Sequence, residues 1–278
     1  MSNPQRILMC PPDHFHVNYA INPWMHGNQD QVSQQEAARQ WQELKALVER
    51  FARVELIQPQ PGVPDMVFTA NAGTVCGDQA VVSRFAHRER KPEEPYFETW
   101  FQGDGYQVHT LPEEINFEGA GDALFDRANP WLWAGAGFRT DPESHDYLRQ
   151  YFDMEVLSIR LVDERFYHID TCFCPLAGGW LMYYPGAYDV ASNELIESRV
   201  PEDKRIEVTE QEAADFSCNA INIGQHVIMH ACSERLRDAL SSAGFQVHTT
   251  SLREFLKAGG SAKCLSLKLN EPEAYPER

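Results

Sequence analysis

The sequence predicts a single α/β domain built as a five-bladed propeller. Three observations carry this: a repeat of about 50 residues, a fixed order of helix, strand and Gly-bearing strand within it, and no Ser/Gly linker between units. Five Gly-flanked or apolar segments each carry a polar residue at a similar place: PDMVFTANAG at Asp65, FEGAGDALF at Glu118, YHIDTCFCPL at His168, SCNAINIG at Asn219 and GGSAKCLSLKL at Cys264. The steps between these markers are 53, 50, 51 and 45 residues. Units this small cannot bury their own faces, and radial repetition lets them share a core while leaving short, protected edges.

Each element has its own signal. SQQEAARQWQELKALVERF opens on Ser33 and Glu36 with capping-box spacing and sets Trp41, Leu44, Leu47, Val48 and Phe51 on one helical face. PYFETWFQG ends at Gly103, DPESHDYLRQYF places Pro142 in its first turn, and SERLRDALSSAG ends at Gly244. Thr209/Glu212 and Ser251/Glu254 share capping-box spacing. The runs ARVELIQP, YQVHTLP, MEVLSIRL, KRIEVTE and FQVHTT have the alternation and β-branched content of strands.

Composition sets the outer bounds. With 278 residues, 43% hydrophobic and 23% charged, the chain can build a large core and is not a disordered protein. A balance of 24 basic against 41 acidic residues gives a net charge of −17, with no basic stripe interleaved with aromatics, which argues against nucleic acid as a partner. No apolar run approaches the ~20 residues that span a bilayer, and the start lacks a basic, apolar leader. A soluble, cytoplasmic protein without membrane contact is expected. Seven cysteines, an odd number in a chain too large to need staples, are expected to be free thiols. Cys172 and Cys174 form a CxC pair with no second pair at zinc spacing, so no metal is expected.

The ordered motifs resemble those of the pentein superfamily of guanidino-group-modifying enzymes, which includes arginine deiminases, dimethylarginine dimethylaminohydrolases, amidinotransferases and arginine dihydrolases. The resemblance covers nearly the whole chain, residues 1–278. It rests on PDMVFTANAG, on Glu118-Gly-Ala-Gly-Asp122, on His168-Ile169-Asp170 and on GGSAKC ending at Cys264. The FTANAG wording and the start MCPPDHFHVNYAINPW are most similar to arginine dihydrolases.

This resemblance implies a mechanism. A guanidinium carbon is a poor electrophile, so Cys264 attacks it as a thiolate and forms a covalent thiouronium. His168 protonates the departing ammonia and then activates water. Glu118 and Asp170 are expected to accept from the planar cation. Arg90 and Arg139 are carried over as clamps for the substrate α-carboxylate, and Asn22 and Asp65 as receivers of its α-amino end; Asp65 could instead cap the turn after Pro64. Arginine deiminases have an aspartate where this chain has Asn71. A neutral amide can accept from a guanidinium and donate to a ureido carbonyl, while the plain alternative is a turn-forming Asn before Gly73. An alkylating reagent is expected to label Cys264 ahead of the other six thiols.

The reading is therefore a hydrolase of free L-arginine giving ornithine, carbon dioxide and two ammonia, without metal or organic cofactor. Arginine deiminase and dimethylargininase are the enzymatic alternatives. A non-catalytic pentein such as a ribosome anti-association factor is the binding-module alternative, and the Cys/His/acid set argues against it. The sequence leaves open whether the chain forms a homo-oligomer and whether it is part of a longer bifunctional enzyme.

Overall fold

Where β-branched and apolar residues alternate, a short strand forms, and each repeat uses three of them. In a computed structural model, which describes residues 5–272, β1 (Arg6–Met9) and β2 (Arg53–Leu56) run parallel, joined by α1 (Gln34–Val48). β3 (Gly73–Cys76) folds back antiparallel on β4 (Gln79–Val82); α2 (Glu94–Gly103) crosses over and β5 (Gln107–His109) returns parallel to β4. The same unit recurs as β6 (Ala123–Phe125), β7 (Trp131–Ala136), α3 (Ser144–Phe152) and β8 (Glu155–Arg160). It recurs again as β9 (Phe173–Leu176), β10 (Trp180–Tyr183), α4 (Val190–Arg199) and β11 (Arg205–Glu207). After the short α5 (Glu210–Ala214) come β12 (Ile221–Ile223), β13 (His226–Met229), α6 (Glu234–Ser242) and β14 (Gln246–Thr249). One more turn, α7 (Arg253–Leu256), leads to β15 (Leu267–Lys268), which pairs antiparallel with β1. The last strand thus completes the sheet that the first strands began, and the five three-stranded sheets form the predicted α/β propeller.

Helices cover the sheets because a parallel return needs a crossover long enough to hold one. In α1, Trp41, Leu44 and Val48 are buried with Ile7, Met9 and Phe255. Toward the axis the inner segments are tied in cyclic order by hydrogen bonds between neighbouring blades. Asn71 Nδ2 donates to Glu118 O at 3.0 Å, and Ile169 N to Asp122 Oδ1 at 3.0 Å. Asn219 Nδ2 donates to Asp170 O at 2.9 Å, Cys264 N to Asn219 Oδ1 at 3.2 Å, and Ala70 N to Cys264 O at 3.1 Å. Gly119 allows the first two blades to approach: its φ is +60°, and a Cβ there would lie 2.8 Å from Gly73 N and O.

Several expectations shift in detail. The one-turn helices that precede β3, β6 and β9 begin at Thr69, Gly119 and Ile169, so the blade-one counterpart of Glu118 and His168 is Phe68, three residues after Asp65. The middle strands β4, β7, β10 and β13 and the helix α4 went unread; in α4 only Ser192 and Ile196 are buried, which leaves no apolar face to find. Ser33 caps Glu36 N, but its own N–H bonds to Glu254 Oε2, because Glu36 pairs with Arg39 instead. Glu254 is thereby taken from any box with Ser251, whereas Thr209 and Glu212 do form one. Pro142 precedes α3 rather than sitting in its first turn. No helix among the described residues is long and apolar enough to cross a membrane. The closing residues from 273 onward, most of EPEAYPER, lie outside the described residues.

Leu44 is fully buried whereas Leu47 is only partly so. Leu44→Ala should cost about 2–5 kcal/mol by denaturant unfolding, with the slope unchanged, and Leu47→Ala less than half as much.

Candidate active site

The short turns that precede the inner strands meet near the axis, so residues far apart in sequence share one narrow cavity. Asn22, Asp65, Asn71, Arg90, Arg139, His168 and Cys264 line it, with Phe68 and Tyr167 among the ring walls. Glu118 and Asp170 stand directly behind, touching His168 and Cys264. All nine residues singled out in the sequence therefore meet.

Cys264 Sγ lies 3.6 and 3.8 Å from the two Asp170 oxygens and accepts from Asn219 Nδ2 at 3.1 Å. Burial pushes the thiol pKa up, and the neighbouring Asp170 adds to the rise. Burial also lifts Asp170, to about 6, against the pull of Lys263. Across the cavity His168 Nε2 is 2.7 Å from Glu118 Oε2. A carboxylate can only accept, so Nε2 carries the hydrogen and Nδ1 keeps the lone pair. Burial lowers His168 to about 4, although Glu118 works the other way. For Glu118 burial would raise the pKa, but Arg139 and the His168 bond outweigh it and hold the group well below the usual carboxylate range. Burial thus favours a neutral thiol and a neutral imidazole beside an ionised Glu118.

Hydrogen-bond inventories refine the expected roles. Glu118 is fully buried; its Oε1 accepts from Ala86 N at 3.2 Å and its Oε2 from His168 and Arg139. It orients the imidazole rather than offering an oxygen to the cavity, which differs from the expected contact with a guanidinium. Arg90 spends Nε and Nη2 on Glu93, Nη2 also on Asp65 O, and Nη1 on Asn71 Oδ1 at 2.8 Å, so one of its five N–H groups remains. Arg139 donates only to Glu118 and to Ile21 O at 2.8 Å, so three of its N–H groups remain. Asn22 Oδ1 already caps Trp24 N and Met25 N, and its Nδ2 donates to Ala258 O at 3.0 Å. It fastens the segment over the cavity instead of presenting an acceptor. Asp65 does present one: Oδ2 accepts from Tyr19 at 2.8 Å, while the buried Oδ1 has no partner.

Asn71 is held in one orientation, since Arg90 can only donate and the Glu118 carbonyl can only accept. One N–H and one lone pair are left over. Gly121 packs against this amide, where a Cβ would collide with Nδ2 and stand 3.2 Å from the His168 ring.

The sequence reading missed Asn219 as a site residue, although the repeat had marked it, and missed Glu93, whose i,i+3 spacing from Arg90 was the available signal. Tyr19 and Tyr167 carried none. Cys172 sits 3.0 Å from Tyr188 OH and Cys174 donates to Ala220 O at 3.5 Å, both in the apolar core. Among the described residues no group of three or more His, Cys, Asp or Glu could hold a metal ion.

A sequence profile of the family described as N,N dimethylarginine dimethylhydrolase, eukaryotic, matches residues 11–270. The bifunctional arginine dihydrolase/ornithine cyclodeaminase AgrE of a Nostoc species is 57% identical over 272 residues, covering 98% of this chain. The chain spans 39% of the length of that relative. The substrate-bound N-terminal domain of ArgZ, an arginine dihydrolase from cyanobacteria, in a cysteine-to-serine variant, superposes with a TM-score of 0.96 at 55% identity, covering 96% of this chain and 98% of that one. A cysteine-to-alanine variant of AgrE in complex with L-arginine superposes with a TM-score of 0.97 at 56% identity, covering 98% and 40%.

Two predictions come from the site's electrostatics. Burial raises the pKa of all three thiols, but Cys264 is raised furthest and is 3% exposed, whereas Cys76 and Cys232 are half-buried, so iodoacetamide at pH 7 should label those two first. This reverses the sequence expectation, and peptide mapping of the alkylated protein checks it. Asp170 has a folded pKa of about 6 against an ordinary 3.8, so its contribution to stability is fully present below pH 3.8 and lost as pH rises through 6. Asp170→Asn should therefore gain on the wild type at pH 8 relative to pH 4, by on the order of 3 kcal/mol in denaturant unfolding.

Proposed function

We propose, for a chain that belongs to the dimethylarginine dimethylaminohydrolase family of penteins, that residues 5–272 form one catalytic unit that hydrolyses the guanidinium of L-arginine to ornithine, carbon dioxide and two ammonia. The observation that carries this reading is the neutral amide of Asn71, locked beside Cys264 and His168 in a closed cavity. The relatives that bind substrate or L-arginine support the choice of ligand.

The substrate enters as a cation, and a positive charge beside Cys264 favours the thiolate that burial and Asp170 disfavour. Arg139 takes the α-carboxylate and the open Oδ1 of Asp65 the α-amino group. Sγ bonds to the guanidinium carbon. The thiol proton passes through His168 to the departing nitrogen, the carbon–nitrogen bond breaks, and ammonia leaves. His168 next takes a proton from water, whose oxygen bonds to the same carbon as the carbon–sulfur bond breaks. The ureido product is neutral. Asn71 still matches it, because the spare N–H can donate to the new carbonyl. A second attack by Sγ releases the second ammonia, and a second water leaves a carbamate that splits into carbon dioxide and ornithine. Every step uses side chains alone, and we place the reaction in the cytoplasm, where seven free thiols stay reduced.

Incubation with arginine should give ornithine and two ammonia per arginine consumed; citrulline with a single ammonia would identify a deiminase instead. Asn71→Asp sets an acceptor-only group against a ureido oxygen, at a cost on the order of 1 to 3 kcal/mol. That is about a 5- to 150-fold bias toward release of the intermediate, so this variant should shift the product toward citrulline. Ornithine as sole product of both proteins would remove Asn71 as the cause.

A further inference from the structure

Among the residues that the repeat marks, Asn219 has no part in the chemistry described above, yet it touches the reacting atom. It is fully buried at the junction of three blades. Its Nδ2 divides two hydrogens between Asp170 O at 2.9 Å and Cys264 Sγ at 3.1 Å, while its Oδ1 accepts from Cys264 N at 3.2 Å. The amide cannot be turned over: Cys264 N–H only donates and the Asp170 carbonyl only accepts. The N–H is therefore pinned on sulfur.

We propose that Asn219 is a catalytic residue whose side-chain N–H stabilises the thiolate of Cys264 and fixes the direction from which Sγ attacks. An N–H bond to a neutral thiol is weak, and it strengthens once the acceptor carries charge. The contact is thus worth most when the nucleophile is ready to attack, which is how a group lowers a barrier instead of merely tightening the ground state. It acts with Lys263 and a backbone hydrogen bond from Ser261 against burial and Asp170, which push the thiol up. The ionisable groups facing Cys264 are Asp170 from the blade-three turn, Lys263 beside it in the chain, and Tyr167 and His168 across the cavity. Asp170 disfavours a second negative charge, and Lys263 points its Nζ to Ala120 O at 3.2 Å. Asn219 is the neutral side-chain donor on the sulfur, beside a backbone hydrogen bond from Ser261.

This inference rests on Cys264 as the nucleophile. The test compares wild type, Asn219→Ala and Asn219→Asp for kcat and KM with arginine across pH, for the pH dependence of alkylation by chloroacetamidine, and for melting temperature. Asn219→Ala should lose about 10- to 150-fold in kcat/KM, mostly in kcat. Its alkylation profile should move to higher pH by about one to two pH units. Asn219→Asp keeps the shape and the acceptor for Cys264 N–H but turns an anion toward sulfur, so it should be slower than Asn219→Ala. A purely structural residue would give the opposite order, and that order, or an unmoved alkylation profile in a folded variant, overturns the proposal. Should Asn219→Ala fail to fold, Asn219→Ser, whose hydroxyl is shorter, takes its place in the same comparison. Turnover by Cys264→Ser would defeat the nucleophile reading itself, whereas an inert Cys264→Ser beside an unaffected Asn219→Ala would defeat this inference alone.

Discussion

The constraint on which the rest depends is closure of the inner ring. Three side chains, Asn71, Asp122 and Asn219, bond to the backbone of a neighbouring blade, and bonds from Cys264 N to Asn219 and from Ala70 N to Cys264 complete the circle. Cys264, the proposed nucleophile, is thereby a member of the ring that holds the blades together. Its position follows from pairing β15 with β1, the contact that joins the two ends of the described chain. Small residues at the ring are required for the same reason, since a side chain at Gly121 would displace Asn71.

Ring geometry also sets the electrostatics. Burying Cys264, His168 and Asp170 at the axis raises both acids and lowers the base, so burial disfavours the charged form of all three. Glu118 is the exception: it keeps its charge because Arg139 and His168 surround it. Under the proposed function, a guanidinium entering this cavity would supply a positive charge beside the thiol. Selectivity and activation would then share one cause, because a neutral ligand of the same shape would leave the thiol protonated. The second turnover would be the demanding one, and the Asn71 amide is the group proposed to hold a neutral substrate there.

Much of this was legible in the sequence, and the limits are physical. A period near 50 residues exposed the blades because each must place a small or polar residue at the axis. Outer strands were readable from their alternation, whereas the middle strands, buried on both faces, carry no period-two signal to read. The phase of blade one was misjudged by three residues, because Asp65 is polar and Phe68, its true counterpart, is not. Residue types predicted which side chains gather, but not how they divide their hydrogen bonds. Glu118, Arg90 and Asn22 spend most of their hydrogen bonds on neighbours, although Arg90 and Asn22 line the cavity. That division depends on Ala86 N, Glu93 and Trp24 N, partners that no spacing rule brings to them.

The most direct measurement of the central claim is acid quenching of the enzyme during turnover of arginine, followed by mass spectrometry of its peptides. The account predicts an adduct on Cys264 alone, with the mass of arginine less one ammonia, together with a second species derived from citrulline less one ammonia. Rapid turnover with Cys264 unmodified at every quench time, or an adduct on a different residue, would contradict it.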